Sequence, residues 1–137
     1  EEKRLAGLIS TSSSQASLGK THSELGQLLN GKVGLSRDAR GLQEAIEGIR
    51  QLGERYDRVR VRNPSRIYNY ELTTYLEIGS MLTLAEAVTQ SAQARCESRG
   101  AHRRTDFPNT DNQNWKHHTT VKRAQGSVQV EKKPVAN

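Results

Sequence analysis

With a single cysteine, Cys96, the chain can form no internal disulfide, so packing and polar contacts alone must hold the fold. Aromatic residues make up only 4% of its 137 residues, with one Trp and one Phe. That excludes the stacked-ring platform on which single-stranded nucleic acid is read. Hydrophobic residues reach 33%, against roughly 45–50% in ordinary globular domains, a figure that also counts Gly. The core is therefore small, or part of the apolar surface belongs with another chain or domain. No run approaches the roughly 18–20 apolar residues of a membrane span, and the N-terminus lacks the apolar centre of a secretion signal. Direct membrane insertion is not expected. A phosphate-binding loop is also missing. Gly19, Lys20 and Thr21 spell the last letters of one, without the earlier glycine or the preceding apolar strand, and no dinucleotide fingerprint occurs elsewhere.

What charge there is leans basic: 21 Lys and Arg against 15 Asp and Glu, a net +6. The excess is modest and no reader module accompanies it, so nucleic acid is not an expected partner. His102, His117 and His118, with Asp106 or Asp111, are the only ligand types that cluster, and their spacing fits no zinc signature. No metal site is expected. Cys96 has no base at a telling position and reads as a small packing residue.

Along the chain, residues 1–20 are Ser-rich and read as a linker or the truncated end of a preceding domain. Residues 21–107 carry helical periodicity, and residues 108–137 read as an irregular docking tail with a small hairpin. Thr21 and Glu24 have capping-box spacing at the start of a first short helix with Leu25, Leu28 and Leu29 on its apolar face. Gly31 or Gly34 would close it, with Val33 and Leu35 tucking the exit against the bundle. A second helix runs from about Asp38, capped by Ser36 or Asp38, to about Tyr56. Its stripe is Leu42, Ala45, Ile46, Ile49, Leu52 and Tyr56. Gly41, Gly48 and Gly53 each cost it roughly 1 kcal/mol of helix propensity, which close packing on the long helix would offset. RVRVR at residues 58–62 alternates as a strand or an extended connector does. Asn69 then caps a long helix with Leu72, Leu76, Gly79, Leu82 or Met81, Ala85, Val88, Ala92 and Arg95 at steps of three and four. Gly100 reads as its terminator. Residues 119–123 and 127–132 flank Ala124, Gln125 and Gly126 as a terminal hairpin. The expected fold is mainly α: a three-helix, spectrin-repeat-like bundle with one long helix, an irregular tail and a small C-terminal β-hairpin.

Where the long helix runs out, the composition turns abruptly to Arg95, Glu97, Arg99, His102, Arg103, Arg104 and Asp106. Arginine's planar fork can hold both oxygens of a carboxylate, so Glu97 or Asp106 is a candidate for bidentate gripping. Two uses are open for such a network. It can fix the turn and dock it to a neighbour, or an arginine can be left to bind a substrate carboxylate, for which no general acid or orienting pair is at hand. Trp115 and Phe107 read as pegs filling grooves of the bundle or of a partner.

The segments AVTQSAQARCESRGAHRRTDFP and NQNWKHHT carry more than composition. Together with the upstream GLQEAIEGIRQLGERYDRVRV and NYELTTYLEIGSMLTLAE, in this order, they resemble the C-terminal domain of the flavoprotein subunit of fumarate reductase and succinate dehydrogenase. L-aspartate oxidase is a related flavoprotein. The resemblance implies a helical bundle packed on larger FAD-binding and capping domains of the same polypeptide, beside an iron-sulfur subunit. In that family a hydride passes between flavin and dicarboxylate, interconverting succinate and fumarate. It further implies a place on the cytoplasmic side of a membrane, or on the matrix side in a mitochondrion. Catalytic and FAD-binding residues would precede Glu1, so none is assigned here. What carries over is a domain-docking set: Glu97, Ser98, Arg99, Gly100, His102, Arg104, Asp106, Trp115 and His118. The family commonly has an Arg and paired acids near residues 109–112, where this chain has Asn109, Thr110, Asp111 and Asn112. The competing reading is a free-standing helical interaction module, or the corresponding domain of L-aspartate oxidase.

Overall fold

The computed structural model describes residues 18–65, 67–124 and 127–135. The expected linker up to residue 17, and the hairpin-turn residues Gln125 and Gly126, lie outside the described residues. In chain order the elements are α1 (Leu18–Lys32), α2 (Ala39–Tyr56), α3 (Tyr70–Ala94), the single turn α4 (Asn112–Trp115), β1 (His117–Ala124) and β2 (Ser127–Pro134). The fold is thus a mainly helical bundle around one long helix, with an open two-stranded antiparallel sheet at its C-terminal end.

Local chemistry explains most of the helix starts. The Asp38 carboxylate accepts the Gly41 amide at 2.7 Å and opens α2. The Asn69 side chain accepts the Leu72 amide at 3.0 Å and opens α3, the arrangement that satisfies an otherwise orphaned first-turn donor. Helix α1 departs from expectation. It begins at Leu18, and Thr21 is buried inside it rather than capping it. Glu24 is drawn across to Arg55 on α2 instead of back to a cap, because an ion pair between adjacent helices is open to it once the helix starts earlier. Gly34, not Gly31, follows the end of α1, and a Cβ there would sit 2.7 Å from the Asn30 carbonyl oxygen. Val33 is buried as expected, whereas Leu35 is 87% exposed.

Leu25, Ile49, Leu52, Tyr56, Val59, Val61, Tyr75, Ile78, Leu82 and Ala85 form one core, and Val33, Leu42, Ala45 and Ala92 continue it towards the charged end. The α2 stripe is the expected one, with Ile46 only half-buried. The RVRVR segment is a connector whose two valines plug the base of the bundle. On α3 the buried positions are Tyr75, Ile78, Leu82, Ala85, Thr89 and Ala92, so the expected Leu76 and Val88 face outwards. The helix is apolar around much of its circumference, and spacing alone does not choose a face. The choice is made by Tyr56, which stacks on Tyr75 at a centroid distance of 4.4 Å and donates its hydroxyl to the Tyr75 carbonyl at 2.9 Å.

That stack needs room, which Gly79 supplies: a Cβ at this position would lie 2.5 Å from the Tyr56 hydroxyl oxygen. Gly48 makes a similar close approach, but to Leu28 of α1 rather than to the long helix, and Gly53 meets nothing within 4 Å. The hairpin pairs in register from His117 opposite Pro134 to Ala124 opposite Ser127, longer at both ends than the alternation suggests. It lies against α3, tied by Arg123 to Glu86.

These glycines separate two effects that propensity alone would merge. Gly79→Ala is expected to lower unfolding free energy by about 1–3 kcal/mol through overpacking against Tyr56. Gly53→Ala should raise it by up to about 1 kcal/mol, since nothing opposes the propensity gain. Equilibrium urea denaturation of the two variants checks the pair, and equal shifts of one sign would contradict the packing described.

Candidate functional site

Helix α3 stops at Ala94 with neither Gly nor Pro in its last turn. A helix that ends this way leaves carbonyls needing donors, and here the donors arrive from further along the chain. The Arg104 guanidinium, 1% exposed, donates through Nη1 to the carbonyls of Ala92 at 2.9 Å and Gln93 at 3.3 Å. A cation on the C-terminal end of a helix is also favoured by the helix dipole. Its other edge forks onto Asp106, with Nε to Oδ1 at 2.7 Å and Nη2 to Oδ2 at 2.6 Å. Asp106 in turn accepts the Ala39 amide at 2.9 Å, at the first turn of α2. One ion pair therefore joins the negative end of α3 to the positive end of α2. The hydrogen bond from Arg104 is the largest influence on Asp106, holding its pKa at about 2.

A second network lies beside it. The Glu97 side chain is fully buried and receives Arg99 through Nε at 2.9 Å and Nη2 at 3.0 Å, Arg95 through Nε at 2.9 Å, and the Asp111 amide at 2.9 Å. Burial alone would raise its pKa, but the bonds from Arg99, the Asp111 amide and Arg95 outweigh that and hold it at about 2. Arg95 completes its donor set with the carbonyls of Trp115 at 2.8 Å and His117 at 3.1 Å and the Thr119 hydroxyl at 3.0 Å. It thereby pins the start of the hairpin to the end of α3. Ser98 closes the loop between the networks, accepting the Arg104 amide at 2.9 Å and donating to the Phe107 carbonyl at 2.8 Å.

His102 sits between three arginines. Its Nδ1 lies 2.8 Å from Arg37 Nη1, and its Nε2 lies 3.1 Å from the Arg95 carbonyl. Arginine can only donate and a carbonyl can only accept, so these partners assign the neutral tautomer with the proton on Nε2. Burial pushes the His102 pKa down, and the charges of Arg37, Arg104 and Arg95 act in the same direction, opposed in part by the carbonyl bond. Both ring nitrogens are engaged, which removes His102 as a metal ligand. Among the described residues no three His, Cys, Asp or Glu side chains are grouped to hold a metal.

Gly100 is not the terminator of the long helix. It has φ of +58° and occupies the second position of a tight turn in which Arg99 and His102 exchange backbone hydrogen bonds at 2.8 and 3.0 Å. That conformation favours glycine. Of the nine residues singled out in the sequence, Glu97, Ser98, Arg104 and Asp106 form the internal frame. Arg99, His102, Trp115 and His118 line one cleft of about 620 Å³, and Gly100 makes the turn at its edge. Trp115 is half-buried, with Lys132 Nζ 3.9 Å from its ring centroid. Sequence reasoning missed Arg37. Its position just before a helix cap carries no local signal, yet its backbone pairs with residues 103 and 105 and its side chain reaches the Val33 and Gly34 carbonyls at 2.9 and 3.0 Å.

Residues 22–137 match the family described as fumarate reductase flavoprotein C-term. The chain belongs to that family. A fumarate reductase flavoprotein subunit of Mycobacterium tuberculosis is 44% identical over 108 residues, covering 78% of this chain and 18% of that protein. A succinate dehydrogenase flavoprotein subunit of Coxiella burnetii is 32% identical over 96 residues, covering 70% and 16%. A solved chain of Escherichia coli quinol fumarate reductase superposes with a TM-score of 0.91 at 32% identity, over 98% of this chain and 23% of its own. The chain therefore spans less than a quarter of the length of these relatives. Gly19, Lys20 and Thr21, which spell the last letters of a phosphate loop, lie within α1 rather than in a loop.

Two outcomes follow for the charged turn. Arg104→Lys keeps the charge but loses the fork and the carbonyl contacts. It should cost about 3 kcal/mol in urea denaturation, close to the cost of breaking a buried pair; a change within experimental error would show that Arg104 is not the tie between α2 and α3. The pH dependence has a definite sign. Glu97 and Asp106 are depressed from ordinary values of 4.5 and 3.8 to about 2, so their contribution is complete above the ordinary values and lost as pH falls towards 2. His102 is depressed from 6.5, so its contribution is present above that value and lost as pH falls through its lower folded pKa. Burial, with Lys132 and Arg95, depresses His117 from 6.5 as well, so stability should be level near neutrality and decline with acid, and His102→Gln should remove part of the upper decline. A profile that rises on acidification would contradict both assignments.

Proposed function

We propose that this chain is the C-terminal structural domain of an FAD-dependent flavoprotein subunit that interconverts succinate and fumarate, and that it docks on the FAD-binding and capping domains of the same polypeptide. The observation that carries the reading is the family match across the bundle, the charged turn and the hairpin, joined to relatives named as fumarate reductase or succinate dehydrogenase subunits. In this reading the flavin, the dicarboxylate and the proton-transferring groups belong to the part of the subunit outside this chain. The set Glu97, Ser98, Arg99, Gly100, His102, Arg104, Asp106, Trp115 and His118 serves the docking seam. Its buried members act as a rigid frame, and its exposed members, Arg99, Gly100, Asp106 and His118, are the ones positioned to meet the neighbouring domains. A buried, paired network suits such a joint because it holds one geometry and losing one member is costly.

Electrons reaching or leaving the flavin need a carrier, and a quinol-linked relative supports an iron-sulfur subunit as the further partner. Among the described residues no helix is long and apolar enough to cross a membrane. The subunit would then sit against the cytoplasmic face of a membrane complex, or the matrix face in a mitochondrion, through its partners.

Expression of the complete reading frame tests the reading. Purified full-length subunit should carry flavin absorbance and reduce fumarate with a reduced dye, whereas the 137-residue chain should do neither. A full-length product without flavin would overturn it.

A further inference from the structure

The outer faces of the two long helices differ in kind. Helix α2 presents Arg40, Gln43, Glu44, Glu47, Arg50 and Glu54 to the surroundings, all exposed, and ties many of them into ion pairs. This is a solvated face. Helix α3 presents Leu84 and Val88, 65% and 53% exposed, one turn apart, with the half-buried Ala87 and Ser91 beside them. That strip runs into the cleft beside the charged turn. The cleft has Ala87, Val88 and Val121 among its apolar lining and Arg37, Arg99 and Lys116 among its cations, and among the described residues no Asp or Glu lines it. His117 also lines it, and His117 Nε2 is buried with no hydrogen-bond partner among the described residues. An apolar strip that ends in a cationic cleft with an unsatisfied ring nitrogen lacks a specific kind of neighbour.

We infer that the Leu84–Val88 strip and this cleft receive an aliphatic segment carrying a carboxylate, supplied by the part of the same polypeptide that lies outside this chain. This rests on the proposed function and extends the seam from the cleft, which four of the docking residues line, along α3 to Leu84, which the sequence does not single out. The charge supports the occupant's chemistry, since an acidic group meets cations there and the nearby Glu97, already held by Arg95 and Arg99, is not part of the lining. The length of the relatives supports its source: more than three quarters of each lies outside the matched region, on the same polypeptide and so at high effective concentration. The frame of Glu97, Arg95 and Arg104 is consumed internally and holds the cleft open in one shape.

Thiol footprinting decides the matter. Leu84→Cys and, as a control on the solvated face, Gln51→Cys are introduced separately into the 137-residue chain and into the full-length subunit, and alkylation is read by mass at the peptide carrying each position. Leu84→Cys should be labelled rapidly in the short chain and about tenfold or more slowly in the full-length subunit, as for a site opened only by local undocking, while Gln51→Cys should be labelled alike in both. Adding Lys116→Glu should restore part of the lost labelling rate in the full-length subunit. Equal labelling of Leu84→Cys in the two proteins overturns the inference. So does protection that appears only when the iron-sulfur subunit is added, or that grows with concentration of the short chain, since each names a different occupant. If the full-length subunit carries flavin and turns over fumarate yet leaves position 84 fully reactive, the function stands and only the placement of the seam fails.

Discussion

The Arg104–Asp106 pair is the constraint on which the rest of this domain depends. Helices α2 and α3 place ends of opposite partial charge near one another, each with backbone groups in need of partners. A guanidinium on the carbonyls of α3 and a carboxylate on the first-turn amide of α2 meet both needs, and the two side chains then neutralise each other. Deep burial of Arg104 would be costly in isolation. It is tolerated because its donors are directed at acceptors already fixed by the helices.

From this joint the rest of the charged turn follows. Ser98 and the turn at Gly100 return the chain so that Arg104 can reach α3, and His102 is carried with them into the space between Arg37 and the Arg95 carbonyl. On the other side Glu97 gathers Arg95 and Arg99, and Arg95 passes the order on to the hairpin through Trp115, His117 and Thr119. A domain with little apolar material thereby obtains a well-defined end without a large core. The same economy leaves an apolar strip on α3 and a cleft lined with cations. Both are costly features for a free domain and suitable ones for a docked domain.

Much of the bundle was legible from spacing. The cap at Asn69, Asp38 as one of the two caps offered for α2, and the α2 stripe apart from the half-buried Ile46 occur as read; RVRVR allows a strand or a connector, and the packing of Val59 and Val61 makes it the second. That an arginine fork would grip Glu97 or Asp106 was legible from charges two positions apart, whereas the choice of Arg104 for Asp106 came with its burial on the α3 carbonyls. The start of α1 was misread because a Thr and a Glu at capping distance had a stronger tertiary alternative, with Thr21 buried and Glu24 paired to Arg55. The face of α3 was misread at Leu76 and Val88 because one ring, Tyr56, sets its rotation from another helix.

The order of helices, their two clear caps and the pairing of opposite charges near the end of the long helix were determined by the sequence itself, because each is settled by neighbours along the chain. Only the tertiary structure decided where α3 ends, what Gly100 is for, and which residues line the cleft. The carbonyls of Ala92 and Gln93 at the helix end are satisfied by the Arg104 side chain, twelve and eleven residues further on, which arrives only after the chain has turned back. Gly100 serves that return rather than the helix it follows. Arg37 joins the site from a loop more than sixty positions earlier, a proximity that no local pattern encodes.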